Sequence, residues 1–234
     1  GVRGDNYNGL SNGHAVQPRL GLSYLVKPAH TILRASYGRL FLTPYNENLV
    51  LSSSTGLGGL ASGSFGEHPL TPAIRNQFNV GFQQAVGNHV SIDAEYFWKF
   101  TDDDFDFDVL FNSPLTFPIQ WRKSKIDGLS VRVNLPEFHG LTAYSVLGHT
   151  RARFFAPEVG GILFNSPIDN EVFRIDHDQA FQQNTHLQYQ PKADLPWFSF
   201  SWSYQSGVVA GSIPDYATAL SLTPDQQQQA GVFC

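Results

Sequence analysis

Hydrophobic and polar side chains alternate along the stretch Val90–Phe100, VSIDAEYFWKF. Because successive side chains of a β-strand point to opposite faces, this pattern predicts a strand with one apolar, largely aromatic face and one polar face. An α-helix would scatter both sets around its circumference. A strand of this length is roughly 36 Å long, and at a tilt of about 40° it rises about 27 Å, close to the apolar thickness of a membrane. The stretch is therefore predicted to be a membrane-spanning β-strand.

The same alternation recurs along the chain between turn-forming residues. In Phe198–Gln205, aromatic residues alternate with serine. The acidic run Asp102–Asp104 is expected to break the strand that begins at Val90, and the alternation of that strand resumes at 105–111. The pattern predicts about nine strands. They lie within residues 2–8, 16–27, 31–41, 75–84, 90–111, 117–134, 141–155, 181–190 and 197–205.

The connections between these strands alternate between short and long. Outer-membrane barrels have short periplasmic turns and long extracellular loops, whereas a soluble β-sandwich has no reason to sort its loops in this way. The chain is therefore predicted to be all-β, an antiparallel segment of a transmembrane β-barrel. A threonine cap followed by proline at 223–224 predicts one short helix at about 224–230. Short turns are predicted at 27–30, 86–89, 135–140 and 190–196, and long loops at 42–72, 112–116, 156–178 and beyond 205.

The two faces of the predicted strands are expected to meet different surroundings. Unpaired charges would be costly in a soluble core, but they are expected in a barrel interior that holds water or a plug. The apolar and aromatic face is expected to contact lipid. Candidates for the barrel interior are Arg34, Arg75, Asp93, Glu95, Lys99 and Arg132, and candidates for the lipid face are Ile92, Tyr96, Trp98, Phe198, Phe200 and Trp202.

Composition agrees with a protein that places many aromatic side chains at a lipid surface. The 234 residues include 19 Phe, and only 15% of them are charged. The net charge of −5 provides no basic surface for nucleic acid. Because the chain has no Met, residues 1–234 are interpreted as one partial barrel domain of a longer protein, an open curved sheet when alone. The single cysteine, Cys234, could be a buried thiol or half of a disulfide.

Few motifs point to chemistry. The acidic run Asp102–Asp104 lacks the glycine and glutamate of an EF-hand, so a solvated acidic rim is predicted instead. In Asp176-His177-Asp178 only the two aspartates share a strand face, so a turn at the rim is predicted there. The glycine-rich segment 56–66 lacks the Gly-Lys-Ser/Thr end of a P-loop. Without a hydrolase motif, a zinc-protease motif or a cysteine pair, no enzymatic activity, cofactor or metal is predicted.

Short motifs in several parts of the chain resemble the barrel of TonB-dependent outer-membrane receptors. They are Gln17-Pro18-Arg19-Leu20-Gly21, Leu33–Arg39 with Thr43–Asn48, Lys123–Gly128, and Asp176–Gln179. The resemblance covers most of the chain and is closest to the Oar-like group. It implies a 22-stranded barrel in the outer membrane of a Gram-negative type of cell, filled by an N-terminal plug. It also implies ligand uptake driven by a TonB-type energy-transducing protein.

The partners expected from this resemblance are outer-membrane lipid, the protein's own plug domain and the TonB-type protein. The plug and the motif that contacts the TonB-type protein do not occur in these residues. The sequence does not indicate the ligand. Two alternatives stay open: a passive porin or adhesin-type barrel, which would lack an upstream plug, and a soluble carbohydrate-binding β-sandwich, which would purify without detergent.

Overall fold

The computed structural model describes residues 1–9, 11–44, 70–109, 116–161, 172–175, 178–208, 221 and 223. Within them the chain forms one antiparallel sheet of ten strands. Nine strands form a continuous path in chain order, as predicted, and the short strand β8 lies off that path beside β7. The strands are β1 Val2–Asn8, β2 Asn12–Val26, β3 Thr31–Leu42, β4 Ala73–Val86, β5 Val90–Val109, β6 Thr116–Phe138, β7 Leu141–Gly161, β8 Val172–Arg174, β9 Phe181–Tyr189 and β10 Phe198–Gln205.

Short connections at 27–30, 87–89, 139–140 and 190–197 lie at one end of the sheet, which we call the short-turn end. The opposite end, where β3 ends at Leu42 and β4 begins at Ala73, is the long-loop end. The turn between β2 and β3 is a single 3-10 turn, Lys27–Ala29, and it ends at His30 in the left-handed conformation, with φ of 49°. At the opposite, long-loop end, β1 and β2 are also joined by a short connection. The predicted helix at 224–230 and most of the predicted loop at 42–72 lie outside the described residues. No helix in the described ranges is long and apolar enough to cross a membrane.

The strand β5 runs without interruption through the acidic run, so the predicted break at Asp102–Asp104 is wrong. Asp103 has a positive φ of 58°, and the pairing with β6 nevertheless keeps its register on both sides of it. The side chain of Asp104 contacts Arg75 and Ser124, which are paired with Thr101 and lie on the same face as Thr101. Strict alternation would place Asp104, three residues after Thr101, on the opposite face. The left-handed residue therefore shifts the alternation by one position, and this shift imitates a strand end in the sequence.

The loop predicted at 156–178 is shorter than expected. Strand β7 continues to Gly161, and β8 then pairs with residues 153–155 of β7. Together β8 and β9 provide the partner of β7 along most of its length. Pro157, Gly160 and Gly161 suggested a loop, but at the long-loop end the pairing with β6 holds this segment in a strand that has register shifts.

The strand register places apolar residues of neighbouring strands on one face. Val80, Tyr96 and Leu129 are directly paired across β4, β5 and β6, and Leu187 is paired with Phe200 across β9 and β10. Much of this face is exposed in the described chain, and soluble monomers rarely expose so large an apolar surface. Its exposed members include Leu20, Leu22, Tyr24, Leu33, Phe78, Val80, Phe82, Leu129, Val133, Leu187, Phe198, Phe200 and Trp202.

The strands β1 and β10 are the two ends of the described sheet, and they do not pair with each other. We expect residues 1–234, expressed alone, to give no stable monomeric barrel, because a sheet in lipid must close to leave no strand edge unpaired. The measurement is gel mobility with and without heating, together with size-exclusion chromatography in detergent. A monomer with heat-modifiable mobility would contradict the expectation.

Candidate functional site

A charged pair crosses the polar face of the sheet. Nη2 of Arg34, on β3, lies 2.7 Å from both carboxylate oxygens of Asp93, on β5. The strand between them contributes Gly81, which is paired with Arg34. A Cβ at Gly81 would lie 2.5 Å from the carbonyl oxygen of Ala94, so only glycine fits there without a backbone shift. Gly81 thus lets β4 pack closely against β5, and Arg34 extends over β4 to reach Asp93.

Two other charged residues on this face are held by close neighbours. Glu95 accepts a hydrogen bond of 3.0 Å from Nδ2 of Asn79 on the adjacent strand. Nζ of Lys99 lies 5.1 Å from the ring centroid of Phe97, two residues earlier on the same strand. Both side chains are therefore oriented along the polar face.

An aromatic stack continues the polar face towards β10. The guanidinium of Arg132 lies 5.3 Å from the ring centroid of Tyr144, and Tyr144 stacks on His186 with 5.5 Å between ring centroids. Nδ1 of His186 lies 2.8 Å from Oγ of Ser201. Beside Arg132 is an open groove of about 540 Å³, whose polar lining suits water or another polar surface better than a packed apolar core. The lining residues are Gln83, Ser91, Asp93, Ser130, Arg132, Asn134 and Val146.

A buried polar network lies nearer the long-loop end. Nε of Arg75 donates a 3.0 Å hydrogen bond to Oγ1 of Thr101, and Nη2 of Arg75 lies 3.3 Å from the carboxylate of Asp104. The hydroxyl of Ser124 donates to the same carboxylate. Thr101, Asp104 and Ser124 are all buried. The network therefore joins β4, β5 and β6 on the polar face.

The acidic run is not a uniformly solvated rim, and that prediction is wrong for Asp104. Asp102 is exposed and pairs loosely with Lys123 at 3.7 Å, as a rim residue would. Partial burial, and then the neighbouring carboxylate of Asp102, raise the pKa of Asp103. Asp104 faces inward because the left-handed backbone at Asp103 turns it towards Arg75.

The long-loop ends of the central strands are tied together by side chains. Gln120 is 1% exposed, accepts a hydrogen bond of 3.1 Å from the backbone N–H of Thr71, and donates one of 2.7 Å to the carbonyl of Thr71. These bonds attach the segment before β4 to β6. A small hydrophobic cluster adds to this packing, and it consists of Ile119, Trp121, Phe154, Ala156 and the partly buried Ile175.

Asp178 completes the ladder in the gap between β8 and β9, which both pair with β7. Its Oδ1 accepts a hydrogen bond of 3.1 Å from the backbone N–H of Ala152, and its Oδ2 accepts one of 2.7 Å from Nε of Arg174. The side chain is fully buried. The carboxylate thus takes the place of a backbone partner. Asp176 and His177 of the predicted rim turn lie outside the described residues.

A second charge cluster lies on the apolar face, and none of the residues predicted for the barrel interior belongs to it. Asp127 accepts hydrogen bonds from the hydroxyl of Tyr96 at 2.8 Å, from Nη2 of Arg151 at 2.9 Å and from Nη2 of Arg153 at 2.6 Å. Its side chain is only 4% exposed. The sequence pattern could have indicated this cluster. Asp127 lies two residues from Leu129 on the same strand, so alternation places its charge on the apolar face, and both arginines share that face.

The structure places the two predicted sets of residues on opposite faces of the sheet. On the polar face it brings Arg34 and Asp93 together in an ion pair. Arg132 is paired with Asp93 across β5 and β6 but lies over the ring of Tyr144, and Lys99 lies over the ring of Phe97. Among the residues that the structure describes, no group of three or more His, Cys, Asp or Glu is arranged to hold a metal ion. The polar face carries Arg34, Arg75, Asp93, Glu95, Lys99 and Arg132, and the apolar face carries Ile92, Tyr96, Trp98, Phe198, Phe200 and Trp202.

Comparisons with known proteins agree with this geometry. A family model described as "TonB dependent receptor-like, beta-barrel" matches residues 1–223. A search of curated proteins finds no significant match. Three solved structures have similar folds. The FrpB iron transporter from Neisseria meningitidis has a TM-score of 0.50 and 14% identity, over 77% of this chain and 25% of that chain. The copper transporter OprC has a TM-score of 0.53 and 13% identity, over 76% of this chain and 25% of that chain. The alcaligin outer-membrane receptor FauA from Bordetella pertussis has a TM-score of 0.51 and 14% identity, over 83% of this chain and 30% of that chain.

The chain spans less than a third of the length of these three proteins, since it covers 25%, 25% and 30% of them. At identities of 13–14% the similarity to these structures establishes the fold alone. The family match is broader, because it extends over residues 1–223 of the 234. From its matched length and its open antiparallel sheet, the chain belongs to the TonB-dependent receptor-like β-barrel family.

Proposed function

We propose that this chain forms part of the wall of an outer-membrane receptor that takes up a ligand and is energised by a TonB-type protein. The observation that carries the proposal is the separation of the two faces of the sheet. One face presents an exposed band of leucine, valine and aromatic side chains from β2 to β10. The other presents ion pairs and hydrogen-bonded polar groups. A barrel wall between lipid and a polar interior requires this separation.

On this proposal the apolar face contacts lipid and the polar face contacts water or the plug. Leu22 is 71% exposed and Phe198 is 70% exposed, so the sheet itself leaves these side chains uncovered. Arg34 and Asp93 keep 37% of each side chain exposed, which suits a hydrated or plug-filled interior better than a dry core. The plug domain and the TonB-type protein are proposed partners, and both come from the family assignment.

The solved structures with similar folds include transporters of iron and copper and a receptor for alcaligin. By analogy, the proposed cargo is a small extracellular ligand that enters from the long-loop end. Transport is the proposed activity, and no chemical conversion of the cargo is part of it.

Two measurements on the full-length protein test the proposal. Site-specific photo-cross-linking in cells should link its N-terminal region to the TonB-type protein of the same organism. In planar bilayers the purified protein should show little steady conductance, because a plug closes the barrel. Steady, large conductance without any cross-link would favour the alternative, a passive porin.

Topology is tested by cysteine labelling on intact cells. Val159, near the long-loop end of β7, and Ala29, in the turn after β2, are both exposed. We expect Val159→Cys in the full-length protein to react with an impermeant thiol reagent, since long loops of such barrels are extracellular. Ala29→Cys should react only after the outer membrane is permeabilised. Labelling of Ala29→Cys alone on intact cells would invert the proposed orientation.

A further inference from the structure

Three cations occupy one row across the apolar face at the long-loop side. Lys125 on β6 is paired with Arg153 on β7, and Arg153 is paired with Arg174 on β8. Like charges directly opposite each other on a sheet face repel and destabilise it. The row continues to Phe100 on β5, which is paired with Lys125. A chain with a net charge of −5 therefore concentrates positive charge in this one place.

The neighbouring carboxylates neutralise only part of this charge. Asp127 bonds to Arg151 and Arg153, Asp178 bonds to Arg174, and Asp102 pairs with Lys123. Among the described residues, five cations contact or adjoin three carboxylates here, so the cations outnumber the carboxylates by two. Within the described ranges Lys125 makes no ion pair, and its Nζ lies over the ring of Phe100 at 5.5 Å from the centroid. The five cations, which we call the cationic patch, are Lys123, Lys125, Arg151, Arg153 and Arg174.

The cationic patch lies at the border of the exposed apolar band. From Ile92 to Phe100 the strand is roughly 26 Å long and rises roughly 20 Å at a tilt of about 40°, so Phe100 lies near the edge of a 25 Å apolar band. Tyr96 and Trp98 pack together just below, with ring centroids 4.6 Å apart, as in an aromatic girdle. The patch is therefore level with lipid head groups on the long-loop side.

We propose that the cationic patch binds the phosphate groups of a phosphorylated lipid in the outer leaflet. Arginine offers a planar fork of N–H donors to phosphate oxygens, and lysine adds a mobile point charge. Side-chain exposures of 51% for Arg151, 49% for Arg174 and 55% for Lys123 leave these groups accessible from the lipid side. The inference rests on the proposed function, since it requires the apolar face to lie in a membrane.

Asp127 gives the patch a fixed geometry. Its carboxylate oxygens accept hydrogen bonds of 2.9 Å from Nη2 of Arg151 and 2.6 Å from Nη2 of Arg153, so both guanidiniums are oriented before a lipid binds. Arg153 is 23% exposed and its Nε is buried, so the half-exposed Arg151, whose guanidinium carries five donors, offers most of the remaining N–H groups to phosphate oxygens. Preorganisation of this kind lowers the entropy cost of binding.

The test uses the full-length protein purified in a neutral detergent and titrated with diphosphoryl lipid A, with bound lipid counted by native mass spectrometry. The variant is Lys125→Gln, because this lysine has no ion partner in the described chain whose loss would disturb the sheet. The matched control is Lys99→Gln, which removes a lysine that also lies over a phenylalanine but on the polar face. We expect Lys125→Gln to weaken binding about fivefold, which corresponds to about 1 kcal/mol, and Lys99→Gln to leave it unchanged.

Further arms separate the possible outcomes. Dephosphorylated lipid A should bind more weakly than the diphosphoryl form and should no longer distinguish Lys125→Gln from wild type. Equal binding of both forms, equal loss in both lysine variants, or full competition by inorganic phosphate would overturn the proposal. The lipid-facing assignment is tested separately by the quenching of tryptophan fluorescence by lipids with brominated acyl chains. We expect this quenching to be smaller in Trp202→Phe than in the wild type. If that quenching occurs but Lys125→Gln binds normally, the lipid site fails while the proposed function stands.

Discussion

Phe200→Arg is expected to destabilise the full-length protein in a bilayer by up to about 2–4 kcal/mol, the upper range for an arginine on the lipid face of a barrel strand. Phe200 is 61% exposed, is the third residue of β10 and is paired with Leu187 on the apolar face. If this face contacts lipid, the guanidinium must enter the hydrocarbon or distort the bilayer around it. The measurement is chemical unfolding in lipid vesicles, followed by heat-modifiable gel mobility.

Ser203→Arg is the matched control for this variant. It lies on the same strand, three residues away, but on the polar face, where it is paired with Asn184. The same side chain should therefore cost little there, because lumen-facing positions accept charge. Equal destabilisation by both variants, or normal folding of Phe200→Arg, would show that the lipid-facing assignment is wrong.

Asp127→Asn is expected to lower the free energy of unfolding by about 2–3 kcal/mol, somewhat less than for a fully buried pair because Arg151 is half exposed. Asparagine has nearly the same size but lacks the charge that holds Arg151 and Arg153 together. The two guanidiniums then repel each other, because neither the asparagine nor the hydroxyl of Tyr96 beside it carries a negative charge. The same vesicle unfolding assay measures the loss.

Asp102→Asn provides the comparison. Asp102 also pairs with a cation on the neighbouring strand, but the separation is 3.7 Å and both side chains are more than half exposed. An exposed pair of this kind contributes at most about 1 kcal/mol. If the two variants lose the same stability, the buried position of Asp127 has no energetic role, and the account of this cluster is wrong.

Period-two alternation was sufficient to predict most strands. In Val90–Phe100 and Phe198–Gln205 each residue's facing follows from its neighbours alone, because the side chains of a strand alternate wherever the strand lies. The nine-strand path, the antiparallel order and the open sheet agree with that prediction. The division of the candidate residues between two faces also follows the alternation, while their contact with lipid or with the barrel interior stays a prediction.

Positions where the alternation shifts were predicted less well. At Asp103 one left-handed residue reverses the facing of the residues after it, so β5 looked broken and Asp104 looked solvated. The strand β8 has only three residues, too few for a recognisable pattern. Its formation depends on pairing with β7, a contact between distant parts of the chain.

The kind of fold follows from the amino-acid sequence, because the alternation of side chains and the spacing of loops are local properties. Which charges meet depends on how the strands pair in the folded protein. Asp127 is separated by more than 20 residues from both arginines that bind it, and Lys125, Arg153 and Arg174 come from three different strands. Their proximity depends on the strand register, and register is set by the pairing of whole strands rather than by any short segment.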